Sequence, residues 1–144
     1  MENFVDILKD LITDTNKSIN QIGRESGVAG TLLSRYLRGI YPSIDFAVRI
    51  AKYFHCTLDY LFGIDDNYKH VNITGYDMTQ FVDRYDKVLV LNNTSNWKLS
   101  KQTNCSEASY RHWQNGHYPS LPRLISIAEN LTCSLDYLVG VKFE

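Results

Sequence analysis

Apolar residues recur at three- and four-residue steps along most of the chain, which is the period of an amphipathic α-helix. Near the start, Phe4, Leu8, Leu11 and Ile12 follow this spacing and predict a first helix. Ser18 has a Gln three residues later, which is the spacing of a helix-capping box. A second helix is therefore predicted to begin there.

Glycines and capping residues divide the next part of the chain into further helices. Gly27 is suited to the left-handed conformation that follows a helix, so the second helix is predicted to end near it. A third helix is predicted from Gly30 to Arg38, a fourth from Ser43 to Phe54, and a short fifth from Thr57 to Gly63. No committed strand is evident, and the predicted fold class is all-α.

The chain also repeats itself. The segment RGIYPSIDFAVRIAKYFHCTLDYLFG (38–63) recurs as NGHYPSLPRLISIAENLTCSLDYLVG (115–140), at an offset of 77 residues. Extended backwards without a gap, the alignment gives 17 identities over the 60 positions from Phe4 to Gly63. This level of internal identity indicates a duplication.

The repeat predicts two tandem domains of five helices each. The first covers residues 1–63 and the second residues 79–144, with a linker at 64–78. The linker is polar and contains a glycine, as is typical of a connecting segment. Val71 and Ile73 alternate with polar residues, so a short strand or a docked segment is also compatible with this part of the sequence.

Composition narrows the function classes. The 144 residues include no apolar run of the length, about 20 residues, that crosses a bilayer, and the first residues are acidic where a secretory signal is basic. We therefore expect a cytoplasmic protein without a membrane partner.

Cys56, Cys105 and Cys133 are widely spaced and odd in number, which favours reduced thiols in the core over disulfides or a metal site. No phosphate loop, nucleophile–base pair or paired carboxylates are evident, so we expect neither an enzyme nor a cofactor.

The second and third predicted helices are separated by only three or four residues, within Ser26–Ala29, which is the spacing of a helix-turn-helix. Together with the five-helix order, the YPS turn, and the closing LDYLFG and LDYLVG, this makes each unit resemble the Xre/Cro-type helix-turn-helix domain of phage repressors. The resemblance covers both units.

The resemblance implies two recognition helices, Gly30–Arg38 and Glu107–Asn115, that enter major grooves of double-stranded DNA. It places Leu33 and Tyr36 in the core of the first unit, and Tyr110 and Trp113 in the core of the second. The DNA-binding residues that it implies are Thr31, Ser34, Arg35 and Arg38 in the first unit, and Ser106, Glu107, Ala108, Arg111, His112 and Asn115 in the second. Arg pairs with guanine, Ala and Thr methyls contact the thymine methyl, and Glu accepts a hydrogen bond from cytosine. Ser106 is a good cap for its helix, and a helix N-terminus favours a nearby phosphate.

The resemblance implies that the protein is a transcriptional regulator, and more specifically a repressor of the kind found in phages or mobile elements. The net charge of −1 means that DNA binding has to come from local basic patches. The alternative is a protein-interaction module on a repressor-like scaffold, such as an antirepressor or an antitoxin-like partner. In that case the first unit mediates a homodimer. In an intermediate version, the second unit reads DNA while the first unit dimerises through exposed Leu32 and Leu37. Steep salt dependence of binding distinguishes the DNA-binding hypothesis from this alternative.

Overall fold

The computed structural model describes residues 3–103 and 107–144 and is mostly helical. The chain divides into two compact units. The first unit holds the described residues up to Gly75 together with Phe143–Glu144, and the second is Tyr76–Lys142. Within the described residues, no helix is both long enough and apolar enough to cross a membrane.

The first unit contains five helices in the described part of the chain. These are α1 (Phe4–Asp14), α2 (Ile19–Ser26), α3 (Gly30–Tyr36), α4 (Ile44–Tyr53) and α5 (Leu58–Leu61). The predicted caps are confirmed: the hydroxyl oxygens of Ser18, Ser43 and Thr57 each accept a hydrogen bond from the backbone N–H three residues later. Helix α3 begins after Ala29, which has no side-chain cap.

The core of the first unit consists of the inward faces of these helices. Its fully buried side chains include Leu8, Ile22, Leu33, Ile50, Cys56, Leu58 and Leu61. The packing role predicted for Cys56 is confirmed, and its counterpart Cys133 is half-buried in the second unit. Cys105 lies outside the described residues.

The segment predicted as a linker continues the first unit as far as Gly75. The backbone N–H of Val71 donates to the carbonyl of His55 at 3.1 Å, and the rings of His55 and His70 stack with centroids 4.4 Å apart. The Tyr68 hydroxyl donates to the carbonyl of Phe54. These contacts fix the segment to the end of α4.

The sequence predicted an all-α fold, but the structure also contains two short strands. They are β1 (Ile73–Tyr76) and β2 (Val141–Phe143), and they form a two-stranded sheet. Next to this pairing, the backbone N–H of Glu144 donates to the carbonyl of Asn72 at 2.9 Å. The alternation at Val71 and Ile73 was the only sign of a strand in the sequence.

The second unit repeats the helix order. After a 3-10 helix at Met78–Gln80, its helices are α6 (Phe81–Leu91), α7 (Asn96–Thr103), α8 (Glu107–Gln114), α9 (Leu121–Leu131) and α10 (Leu135–Val139). Each of these five helices begins 77 residues after its counterpart in the first unit. Aromatic rings fill much of its core: Trp113 meets Phe81 and Tyr85 edge to face, with centroids 5.4 and 5.2 Å apart.

Candidate nucleic-acid interface

The turn between α2 and α3 is held by two glycines. Gly27 has φ 77°, a left-handed conformation, and its N–H donates to the carbonyl of Gly23 at 3.1 Å. A Cβ atom on Gly23 would lie 2.8 Å from the backbone N of Gly30 and 3.0 Å from the carbonyl O of Val28. Because both neighbours are backbone atoms, a side chain at position 23 would push α3 away from α2. The sequence prediction identified Gly27 but missed Gly23, for which the signal is a glycine inside a helical segment.

Arg49 on α4 supports the same turn. Its Nη1 donates to the carbonyl O of Gly27 at 3.1 Å, and its Nε lies 3.0 Å from a carboxylate oxygen of Asp45. The turn is thus tied to α4 through a side chain that the sequence analysis did not single out. Position 126, the counterpart in the second unit, holds a Ser.

Helix α3 is anchored by its inner face. Leu33 and Tyr36 are buried, as predicted, and burial raises the pKa of the Tyr36 hydroxyl. The opposite face exposes Thr31 and Arg35, while Ser34 is half-buried. This face is the part of α3 that is open to a partner.

Arg38 does not lie on the recognition helix as predicted. Helix α3 ends at Tyr36, and the backbone N–H of Arg38 donates to the carbonyl of Arg35 in the following turn. The predicted helix is two residues too long because Leu37 and Arg38 continue its spacing. Both arginine side chains are exposed, and neither forms an ion pair with another described residue.

Helix α8 has the same two-sided character in the second unit. Trp113 is buried, as predicted, whereas Ala108, Arg111 and His112 are exposed. Asn115 is exposed just beyond the end of the helix, and its N–H donates to the carbonyl of Arg111. Ser106 lies outside the described residues, so its capping role stays a prediction, as does the contact from Glu107, at which α8 begins.

Comparison with known protein families agrees with the geometry of the first unit. Residues 8–61 match the model of a helix-turn-helix family, a range that runs from within α1 to the end of α5. Over this range the first unit is similar to a helix-turn-helix domain. No curated protein and no solved structure matches the chain. Transcription regulators use a helix-turn-helix to place its second helix in the major groove of DNA.

In the matched range, the second helix of the helix-turn-helix pattern corresponds to α3. Helix α8, which begins 77 residues after α3, is positioned by an interaction that the sequence analysis missed. The Tyr110 hydroxyl donates to both carboxylate oxygens of Asp86 on α6, at 2.8 and 2.9 Å. Burial and this carboxylate raise the pKa of Tyr110 to about 12. Tyr110 was predicted as a core residue, and it is half-buried.

Across residues 3–103 and 107–144, no group of three or more His, Cys, Asp and Glu side chains is arranged to hold a metal ion.

Proposed function

We propose that the chain is a sequence-specific double-stranded DNA-binding protein with two tandem helix-turn-helix domains, and that it acts as a transcriptional repressor. Binding, without catalysis or a cofactor, would be its whole activity. A repressor of this kind works in the compartment that holds the DNA, which is the cytoplasm in a bacterial cell. The proposal extends the family match of the first unit to the complete chain.

The observation that carries the proposal is the two-sided α3. Leu33 and Tyr36 fix the helix to the core, so its outer face keeps a defined orientation. On and just after that face, Arg35 and Arg38 present guanidinium groups that no carboxylate among the described residues neutralises. Arg is the side chain that most often reads guanine in the major groove, and it also binds phosphate.

The second unit supports a second DNA-reading domain. Its helices keep the 77-residue offset of the sequence repeat, and α8 exposes Arg111 and His112 at the positions equivalent to the half-buried Ser34 and the exposed Arg35 of α3. The two units therefore carry different residues at equivalent reading positions. A chain of this kind would recognise two unlike half-sites.

The net charge of −1 is unfavourable for DNA binding, but the local charge along α2 and α3 supports it. Along α2 and α3 the acidic residue is Glu25, and it lies 2.6 Å from the Nζ of Lys17. Hydrogen bonds from Lys17, and next from Tyr53, lower the pKa of Glu25 to about 2. Its negative charge is thus offset by a neighbouring cation, and the arginines of this surface are left in excess.

The proposal is tested by the salt dependence of binding to duplex DNA. A protein that neutralises several phosphates loses about 10³-fold or more in affinity between 50 and 200 mM salt. We expect a steep linear fall of log K with log salt concentration in fluorescence anisotropy. A salt-independent interaction, or none at 50 mM salt, would contradict DNA binding.

One observation favours the alternative of a protein-interaction module. At the end of α6, Val90 and Leu91 are 75% and 81% exposed, and Tyr137 nearby is 42% exposed. Leu32 and Leu37, the predicted contact residues of a homodimer, were expected to be exposed but are half-buried, so they are less suited to this role. Exposed apolar patches mark interaction sites, so a homodimer would form through the second unit.

The first unit supplies a control for this alternative, because it carries Thr13 and Asp14 at the positions equivalent to Val90 and Leu91. We expect the double variant Val90→Thr/Leu91→Asp to fold normally and to be monomeric in sedimentation equilibrium. The wild type would then dimerise at the same concentration. A wild-type chain that stays monomeric at all concentrations contradicts the homodimer.

A further inference from the structure

The first unit contains a groove between the ends of α2 and α4, which we name the α2–α4 groove. Its volume is about 790 Å³, within the range of roughly 300–1,000 Å³ that is typical of small-molecule sites. The basic side chains that line it are Lys17, Arg49 and Lys52, and Glu25 is the acidic one among the described lining residues. The lining therefore carries a net positive charge.

Glu25 organises one wall of the α2–α4 groove. Its carboxylate accepts a hydrogen bond from the Tyr53 hydroxyl at 2.7 Å and another from the Nζ of Lys17 at 2.6 Å. The Nζ of Lys17 also lies 5.9 Å from the centroid of the Tyr53 ring. These contacts connect α2 to α4 across the groove, and they use the charge of Lys17 to offset that of Glu25.

The two cations on α4 have capacity left for a ligand. Lys52 is exposed and forms no ion pair with a described residue. Arg49 lies three positions earlier, so the two residues share one face of the helix. The Nε of Arg49 pairs with Asp45, and its Nη1 donates to the carbonyl O of Gly27. Because a guanidinium group has five N–H donors, these two bonds leave donors for an anion.

The second unit shows that the fold does not require this set of side chains. Its residues at the positions equivalent to Lys17, Glu25, Arg49, Lys52 and Tyr53 are uncharged or acidic, namely Thr94, Gln102, Ser126, Glu129 and Asn130. Helices α7 and α9 nevertheless form there. Exposed ion pairs contribute little to stability, so packing does not explain why the whole set occurs in one unit. The set indicates a role that belongs to the first unit alone.

We propose that the α2–α4 groove binds a small molecule that carries a phosphate group, with Lys52 and Arg49 as its direct partners. Lysine binds phosphate as a point charge, and arginine offers several N–H donors to the phosphate oxygens. Arg49 also holds the carbonyl of Gly27, so it joins the groove to the turn that precedes α3. This site goes beyond the proposed DNA binding and does not depend on it.

The test is an NMR titration of the isotope-labelled full chain with sodium phosphate, compared with sodium chloride at the same ionic strength. We expect saturable shifts at the backbone amides of Lys52 and Tyr53, and none at the equivalent Glu129 and Asn130. The absence of a saturable shift in the groove would overturn the proposal. Shifts confined to α3 would also overturn it, because phosphate would then bind the exposed arginines of the recognition helix.

Two charge-reversal variants complete the design. Lys52→Glu introduces the residue of the second unit, and it should weaken phosphate binding about tenfold without lowering the melting temperature. Lys9→Glu makes the same change of net charge at an exposed position of α1 that does not line the groove, and it should bind phosphate like the wild type. Unchanged affinity in Lys52→Glu, or an equal loss in both variants, would overturn the site and leave the DNA-binding proposal standing.

Discussion

Trp113→Ala is expected to unfold the second unit at 25 °C or leave it only marginally stable. The Trp113 ring packs against Phe81 and Tyr85 and lies 6.3 Å from the ring of Tyr110. Truncating a buried tryptophan costs about 3–5 kcal/mol. A unit of this size has roughly 3–10 kcal/mol of stability, so the loss takes most or all of it.

Urea unfolding followed by near-ultraviolet circular dichroism measures this effect. The first unit has its own core, to which Trp113 does not belong, and its transition should remain. Trp113→Tyr introduces the aromatic residue of the first unit, Tyr36, and should cost much less. A loss below about 1 kcal/mol in Trp113→Ala would show that the aromatic cluster does not anchor α8.

Gly23→Val is expected to damage the first unit without touching any residue that is predicted to contact DNA. The Cβ atom alone would come within 2.8 Å of the backbone N of Gly30, and the two methyl groups would add to the conflict. Overpacking of this kind costs about 1–3 kcal/mol, and here the strain would fall on the angle between α2 and α3. We expect a lower melting temperature and a loss of DNA affinity that exceeds the loss of stability.

Gly23→Ser is the matched control, because Ser100 is the counterpart of Gly23 in the second unit. Its single hydroxyl should be accommodated with a smaller shift of α3. Differential scanning calorimetry and anisotropy would compare the three proteins. Equal stability of the wild type and Gly23→Val would mean that α2 and α3 are not held at the distance described.

The helices of the first unit follow from the sequence because their signals are local. Ser18, Ser43 and Thr57 cap the helices as predicted, and Gly27 ends α2 in the expected conformation. The 77-residue offset predicts where each of the helices α6 to α10 begins. Capping and periodicity depend on a few neighbouring residues, which is why one sequence suffices to place these elements.

Interactions between distant residues could not be predicted in this way. The Tyr110–Asp86 hydrogen bond joins residues 24 positions apart, and the Arg49–Gly27 bond joins residues 22 positions apart. Neither pair has a signature in the spacing of the sequence. The docking of the segment after α5 rests on His55 and His70, two side chains that carry no such signal either. The candidate site was predicted at the level of its helices, and its supporting contacts came from the structure.

DNA reading by both units is tested by the selection of random duplex DNA with the purified chain at about 100 mM salt. Arg35→Ala and Arg111→Ala are run in parallel, since both side chains are exposed and neither variant should alter folding. Each guanine contact is worth about 1–3 kcal/mol of discrimination. We predict an enriched motif in two parts, one lost in Arg35→Ala and the other in Arg111→Ala. An absence of enrichment, with only weak binding that is indifferent to sequence, would contradict two DNA-reading domains and favour the protein-interaction module.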